Sequence, residues 1–298
     1  MKRPHIYIHA DDYGMTPETC KRILDCRDHG CLNSISIMPN GCLKEKEELE
    51  NVQDLDKAVH LNLVEGKALT PAEQIPLLVR EDGYMKNSFF QLLLLSLSGK
   101  RKELEQEMEL ELKAQIHAVQ RLLPRGRALM LDSHQHTHMI PLIFRVLLRI
   151  VKEEQLPVSY LRISAEPLLP FLREPSLFRT IQPVNLVKNL LLNFLWLFEK
   201  PAWKKSGIPG AIFCGILFSG HMDGQRVMKV VPHFYSLAKK KGMNLEFLFH
   251  PGYTEPGEEL FDPWKKEFHS FYLSCGRKEE FDALHNKKLQ RMLTGNYE

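Results

Sequence analysis

The sequence predicts an α/β fold built on parallel strands, and three observations carry that expectation. Short apolar runs of strand character alternate with amphipathic helical stretches along most of the chain, the rhythm that joins parallel strands through helices. The chemically unusual residues Asp11, Asp12, His60, His134, His136, His138 and His250 fall within or at the carboxyl ends of those runs. In α/β barrels and open α/β sheets alike, that edge gathers distant positions around a ligand. Finally, 298 residues can bury a large core and no linker divides them, so 1–298 reads as a single domain.

The elements follow in order. A first strand over 6–10 stops at Asp11-Asp12-Tyr13-Gly14. A helix comes next: Thr16 can cap it, Pro17 takes its first position, Glu18 suits its positive end and Gly30 stands where it should stop. Residues 32–38 alternate in the strand manner and end in the turn Pro39-Asn40-Gly41. Residues 44–55 are charged and helix-compatible, and 58–63 is a strand with His60 embedded in it. Residues 67–100 carry Pro71, Pro76 and Gly83, show no α/β rhythm and close in a leucine-rich run. An insertion over the site or an interface is expected there. The clearest helix is 103–123, where Leu104, Met108, Leu112, Ile116, Val119 and Leu123 recur at three- and four-residue spacing. A strand over 128–134, a helix over 141–154 and a strand over 160–163 come next. In the last of these Arg162 points away from its apolar neighbours, either towards a carboxylate of the site or onto the surface. Residues 166–209 place Pro167, Pro170, Pro175, Pro183 and Pro201 around an apolar run and read as a second irregular insertion. Strand signals return at 211–218 and at 245–249, the latter ending in His250-Pro251-Gly252-Tyr253, and the charged 264–291 stretch reads as one or two closing helices.

The densest chemistry lies in Asp132-Ser133-His134-Gln135-His136-Thr137-His138, directly after an apolar strand. In an extended segment side chains alternate, so His134, His136 and His138 are expected on one face. Imidazoles so placed repel one another when protonated, and a divalent cation is the natural partner to hold them. With an aspartate from another strand end, such histidines make a site of one carboxylate and two imidazoles that leaves positions open for water and substrate.

Composition excludes other classes. A formal net charge of +3, with no basic run interleaved with aromatics, gives no reason to expect nucleic acid. None of the six cysteines stands in a C-x-x-C pair, which speaks against a cysteine zinc site. The amino terminus has no signal-peptide pattern, so a cytoplasmic setting is the default. The apolar runs 89–97 and 186–198 fall short of the roughly 20 residues of a spanning helix; core packing or a contact in a homodimer is their ordinary explanation.

Four segments together, Ala10-Asp11-Asp12-Tyr13-Gly14, Val59-His60-Leu61-Asn62-Leu63, Asp132 to His138, and Phe249-His250-Pro251-Gly252-Tyr253, resemble the successive motifs of the YdjC-like carbohydrate deacetylases, which include chitooligosaccharide deacetylases. The resemblance implies an irregular TIM-like β/α barrel and a metal-dependent hydrolase that removes acetyl groups from N-acetylated sugars. By position, it makes Asp12, His60 and His134 the metal ligands, Asp11 the general base and His250 the general acid. His136, His138, Arg162 and Tyr253 remain as supporting or substrate-contacting residues. The match is weakest in 67–100 and 166–209, where substrate choice is expected to lie.

Amide hydrolysis suits such a set. A divalent ion lowers the pKa of water and polarises a carbonyl, an aspartate can take the water proton, and a histidine can protonate the departing amine. Arg162 would hold Asp11 ionised. Two histidines and one carboxylate favour zinc, manganese or cobalt over magnesium. The same set also suits a phosphoesterase, a cyclic amidohydrolase or a ferrous oxygenase, and the fold alone would suit a sugar-binding protein without turnover. The two apolar runs add one variant, a deacetylase acting on a lipid-linked amino sugar.

Overall fold

Strands form where the alternating apolar runs lie, and they lie side by side because each returns through a helix. The computed structural model describes residues 3–294, so Met1, Lys2 and 295–298 lie outside it. Its strands are β1 (Ile6–Tyr13), β2 (Ser34–Ile37), β3 (Asp56–Leu61), β4 (Leu129–Ser133), β5 (Val158–Leu161), β6 (Ala211–Cys214) and β7 (Asn244–Phe249). They pair in parallel in the order β5-β4-β3-β2-β1-β7-β6. The sheet curls until its edges meet: the Leu161 N–H at the end of β5 donates to Pro209 O just before β6, at 2.9 Å. This curled seven-stranded sheet is the irregular barrel-like α/β fold that the sequence predicts.

The helices are α1 (Pro17–Asp28), α2 (Phe89–Ser96), α3 (Arg101–Leu122), α4 (Pro141–Glu153), α5 (Leu169–Leu172), α6 (Pro183–Ser206), α7 (Gly224–Lys241), α8 (Lys266–Tyr272), α9 (Cys275–His285) and α10 (Lys287–Leu293). Thr16 caps α1 by accepting from the Thr19 N–H at 3.2 Å, as its sequence indicates. Gly30 follows as expected, for a packing reason: a Cβ there would stand 2.2 Å from Cys26 O. The apolar stripe of α4, Ile143, Val146, Leu147 and Ile150, is buried in the main hydrophobic core.

Three expectations need correction. Residues 44–55 hold a 3-10 helix over Lys46–Val52 and no α-helix. Residues 166–209 are mostly ordered helix, because Pro170, Pro175 and Pro183 stand in the first turns of α5, a 3-10 turn and α6, where a missing N–H costs nothing. The third correction, at 134–138, belongs to the site. The other excursion, 67–100, is fastened by two antiparallel bridges, Lys67 to Tyr84 and Val79 to Met85, before α2 begins. Among the described residues no helix is long and apolar enough to cross a membrane.

Inside the curl the two ends differ. At the amino ends of the strands Ala58, Met130, Tyr160 and Ala211 pack together with Tyr7. At the carboxyl ends the interior is polar: His9, Asp11, Asp12, Asp132, Arg162 and Glu246 are each at most 3% exposed.

Candidate active site

Adjacent residues of a regular strand point to opposite faces, so Asp11 and Asp12 cannot both enter the barrel from a regular strand. They do so through a bulge. Between Ala10 and Tyr13, β1 advances three residues while β2 advances two, from Ile35 to Ile37, and Asp12 sits in the left-handed region at φ 72°. One extra residue re-aims a side chain at a strand end, and a left-handed aspartate there is the kind of backbone strain found at functional sites.

Asp12 divides its oxygens. Oδ2 accepts from Arg277 at 2.6 Å. Oδ1 is buried without a hydrogen-bond partner and lies 3.2 Å from His134 Nδ1 and 3.6 Å from His60 Nε2. Those two nitrogens are 3.3 Å apart. The outer nitrogen of each ring meets a buried carboxylate, His60 Nδ1 on Asp132 at 2.7 Å and His134 Nε2 on Glu65 at 3.0 Å. A carboxylate only accepts, so the protons sit on the outer nitrogens and the inner lone pairs converge with Asp12 Oδ1. Three ligands about 2.1 Å from a tetrahedral ion stand roughly 3.4 Å from one another, which these separations match. The donor set therefore fits a divalent cation. Burial acts against charge on His60, but Asp11 and Asp132 outweigh it and push its pKa up to about 10; the pocket calls for positive charge.

A second group, His9, Asp11 and Asp132, also has donor atoms in mutual reach, but its atoms are spoken for. His9 Nε2 faces Ser36 Oγ at 2.6 Å and His9 Nδ1 faces Ser34 Oγ at 2.7 Å. Ser36 donates to Asp132. Arg162 donates to both oxygens of Asp11, at 2.9 and 3.0 Å, and its Nη2 stands 3.0 Å from Asp132. A guanidinium in its midst makes this cluster unfit for a cation. Burial alone would raise the Asp11 pKa; Arg162, with His60, His9 and His250, more than reverses that and holds the carboxyl well below its usual range. Burial, with Arg162, pushes His9 down to about 3, so it is neutral.

The segment after β4 departs from the extended expectation. Residues His134–Met139 form a 3-10 turn in which Gln135 and His136 have φ of 52° and 57°, and the three histidines separate. His134 enters the Asp12 cluster. His136 Nδ1 meets Ser164 Oγ at 2.9 Å while the ring lines the cleft. His138 is held between Ser133 Oγ at 2.6 Å and Arg162 O at 3.0 Å. Burial pushes His138 down to about 4 and lowers His136 as well, so both are neutral polar struts.

A cleft of about 300 Å³ opens over these groups, with Asp11, His134, His250, Lys188, Phe271 and Arg277 in its lining. His250 Nε2 is 4.0 Å from Asp11 Oδ2, and its backbone N–H donates to Glu280. Arg162, undecided between site and surface in the sequence, is fully buried and also donates from Nε to Glu246 at 2.7 Å. Tyr253 is not in the cleft lining; its ring lies under Arg22, 4.1 Å from the guanidinium carbon.

Sequence reasoning missed Glu65, Arg277 and Lys188. Glu65 lies just past the His60 strand, and Asn62 fixes that turn by accepting from the Val64 and Glu65 N–H groups at 3.1 Å. Arg277 sits in a charged tail whose pattern says nothing of a site, yet it is stacked against Phe271 and Tyr272. Lys188 did leave a signal, as the charge interrupting an apolar run. Burial lowers it to about 8 against the pull of Asp11 and Glu166.

With this geometry in place, the chain compares with known proteins as follows. Residues 5–295 match the family model described as YdjC-like protein. The chain belongs to the YdjC-like family. Among curated members, a carbohydrate deacetylase of Thermoanaerobacter pseudethanolicus is 36% identical over 28% of this chain and 35% of its own length. One of Oceanobacillus iheyensis is 28% identical over 52% and 64%. A carbohydrate deacetylase of Xenopus laevis is 24% identical over 86% and 84%. The chain thus spans only about a third to just under two thirds of the first two relatives it matches. A crystal structure from Enterococcus faecalis, provisionally named a cellobiose-phosphate cleavage protein, superposes with a TM-score of 0.65 over 98% of this chain and 95% of its own. At 18% identity that likeness speaks for the YdjC-like fold alone.

Proposed function

We propose that this YdjC-like chain is a metal-dependent hydrolase that removes the acetyl group from N-acetylated sugars such as short chitooligosaccharides. The observation that carries the reading is the orphaned Oδ1 of Asp12, buried beside two imidazoles whose outer nitrogens are each anchored on a carboxylate. The names of the relatives supply the substrate class.

In this reading Asp12, His60 and His134 hold one divalent ion, and their two-nitrogen, one-oxygen set favours zinc, manganese or cobalt over magnesium. Such an ion lowers the pKa of water and polarises an amide carbonyl. The protein supplies the proton path. Asp11, kept ionised by Arg162, takes a proton from the water that adds to the carbonyl carbon. The same ion pair makes Asp11 a weak base, so it holds that proton only briefly. His250, beside it, passes a proton to the amine nitrogen as the C–N bond breaks, and acetate and the free amino sugar leave. Phe271 and Tyr272 line the cleft beside Arg277, and Lys188 adds a second cation to the same lining.

Acetate release from short N-acetylglucosamine oligomers, with and without a chelator, tests the reading. Wild type should release acetate only without chelator, and Asp11→Asn should fall by about 10²- to 10⁴-fold, the usual contribution of a positioned base. Absence of acetate with any added divalent ion, together with turnover of phosphate esters, would replace this reading with a phosphoesterase.

A further inference from the structure

Helix α6 is built inside out. Its polar side chains face the protein: Asn185 donates to Ser219 O at 3.0 Å, Asn189 and Asn193 donate to Glu166 O at 3.1 and 3.0 Å, and Glu199 is fully buried. Its apolar side chains face outward. Val184, Val187, Leu190, Phe194, Leu197 and Phe198 are each between 51% and 66% exposed, and every exposed position from 183 to 198 is apolar. Six large apolar side chains, each more than half exposed, make a contiguous apolar surface on the order of several hundred Å², at the upper end for a typical monomer. Helix α2 exposes Phe90 and Leu94, and Leu97 directly after it is exposed as well, with Gln91 beside them. Phe89 of α2 and Trp196 of α6 both pack against one small buried cluster that includes Met139 and Leu192.

Charge says what covers this face. Each stripe runs into exposed cations, Lys200, Lys204 and Lys205 after the first and Lys100, Arg101 and Lys102 after the second. The one acid within α6, Glu199, is buried. A second copy of the chain would bring the same cations and no outward carboxylate of α6 to meet them. An anionic bilayer meets both features, taking large apolar side chains into the headgroup boundary and lysines onto the lipid phosphates.

We propose that the outward faces of α6 and α2 dock this protein on an anionic lipid surface. Val184 is both the first residue of the stripe and part of the cleft lining, as is Lys188 one turn on, so docking sets the cleft mouth at the bilayer. The substrate class that arrangement serves is an N-acetylated amino sugar carried on a lipid, a conclusion that rests on the deacetylase reading above, whereas the docking itself does not.

Co-sedimentation of the full chain with phosphatidylcholine vesicles, plain or containing about one third phosphatidylglycerol, tests docking without any turnover. Wild type should pellet with the anionic vesicles and be released by salt, which screens the lysines. Leu190→Glu with Phe194→Glu should abolish binding while leaving the circular dichroism spectrum and acetate release from soluble oligomers unchanged. Lys200→Gln, Lys204→Gln and Lys205→Gln together should weaken it on the order of 10²-fold, at about fivefold per lysine. Wild type that stays in the supernatant overturns the proposal. So does a wild-type dimer that Leu190→Glu with Phe194→Glu converts to monomer without any vesicle binding, since the face would then belong to a second copy. If vesicles bind and acetate is released from soluble oligomers alone, docking stands and the lipid-linked substrate falls; if vesicles bind and no acetate appears from either, the deacetylase reading falls instead.

Discussion

The polar interior has two halves that touch but obey opposite rules. Around Arg162, the atoms of His9, Asp11, Asp132 and Glu246 are matched by guanidinium, hydroxyl or imidazole partners. Around Asp12, the inner atoms of His60 and His134 converge on an oxygen with nothing to accept from. The first half resembles a buried ionic lattice, stable only when complete. The second is held open by the first, through Asp132 on His60, and by Glu65 and Arg277 from outside. A cation site of the kind proposed needs both: one set of groups fully satisfied so that another can be left unsatisfied.

Breaking the first half should have the largest effect. Arg162→Ala leaves three buried carboxylates without their cation, and truncating one partner of a buried pair costs about 3–5 kcal/mol; denaturant unfolding should show a loss at least that large. The second half should respond in affinity before stability. Glu65→Gln replaces the carboxylate behind His134 and should weaken cation binding by about 10- to 100-fold, the usual cost of losing an outer partner, while the unfolding midpoint of the stripped protein barely moves. Ser36→Ala sits between these cases. It removes one hydroxyl from His9 and Asp132 together; Asp132 keeps Arg162 and His60, while the buried His9 Nε2–H left unpaired costs about 1–3 kcal/mol, readable by thermal melting.

A control lies outside both halves. Glu199 is buried with neither oxygen paired, and burial, opposed by Arg145, raises its pKa to about 7. A carboxyl whose folded pKa lies above its unfolded value binds more protons in the native state. Stability should therefore fall as pH rises from about 4.5, the unfolded value, to about 7 and level off beyond. Glu199→Gln should flatten that slope in a pH series of melts.

Much of this was legible in the sequence because strands and helices announce themselves locally. The β1 run, the capped α1 and the striped α3 and α4 need no tertiary information, and polar residues at strand ends converge by a general rule of parallel sheets. What escaped depends on contacts between distant segments or on backbone hand. Nothing in Asp132 to His138 marks Gln135 and His136 as left-handed, yet that turn scatters three histidines that a strand would align. Arg277 lies 265 residues from Asp12, its partner, and no periodicity of α9 sets it apart. Helix α6 was hidden by its own inversion: asparagines inward and leucines outward defeat the usual amphipathic reading, and prolines at the starts of short helices look like breaks.

In the proposed reading the Asp12 half, and not the Arg162 half, takes the cation. Calorimetric titration of chelator-stripped protein with zinc tests it directly, using wild type, Asp12→Asn and Ser34→Ala, the last touching only the His9 side. One ion bound per chain in wild type and in Ser34→Ala, with binding lost in Asp12→Asn, is the predicted result. No binding by wild type, or binding that survives Asp12→Asn and disappears in Ser34→Ala, would contradict it.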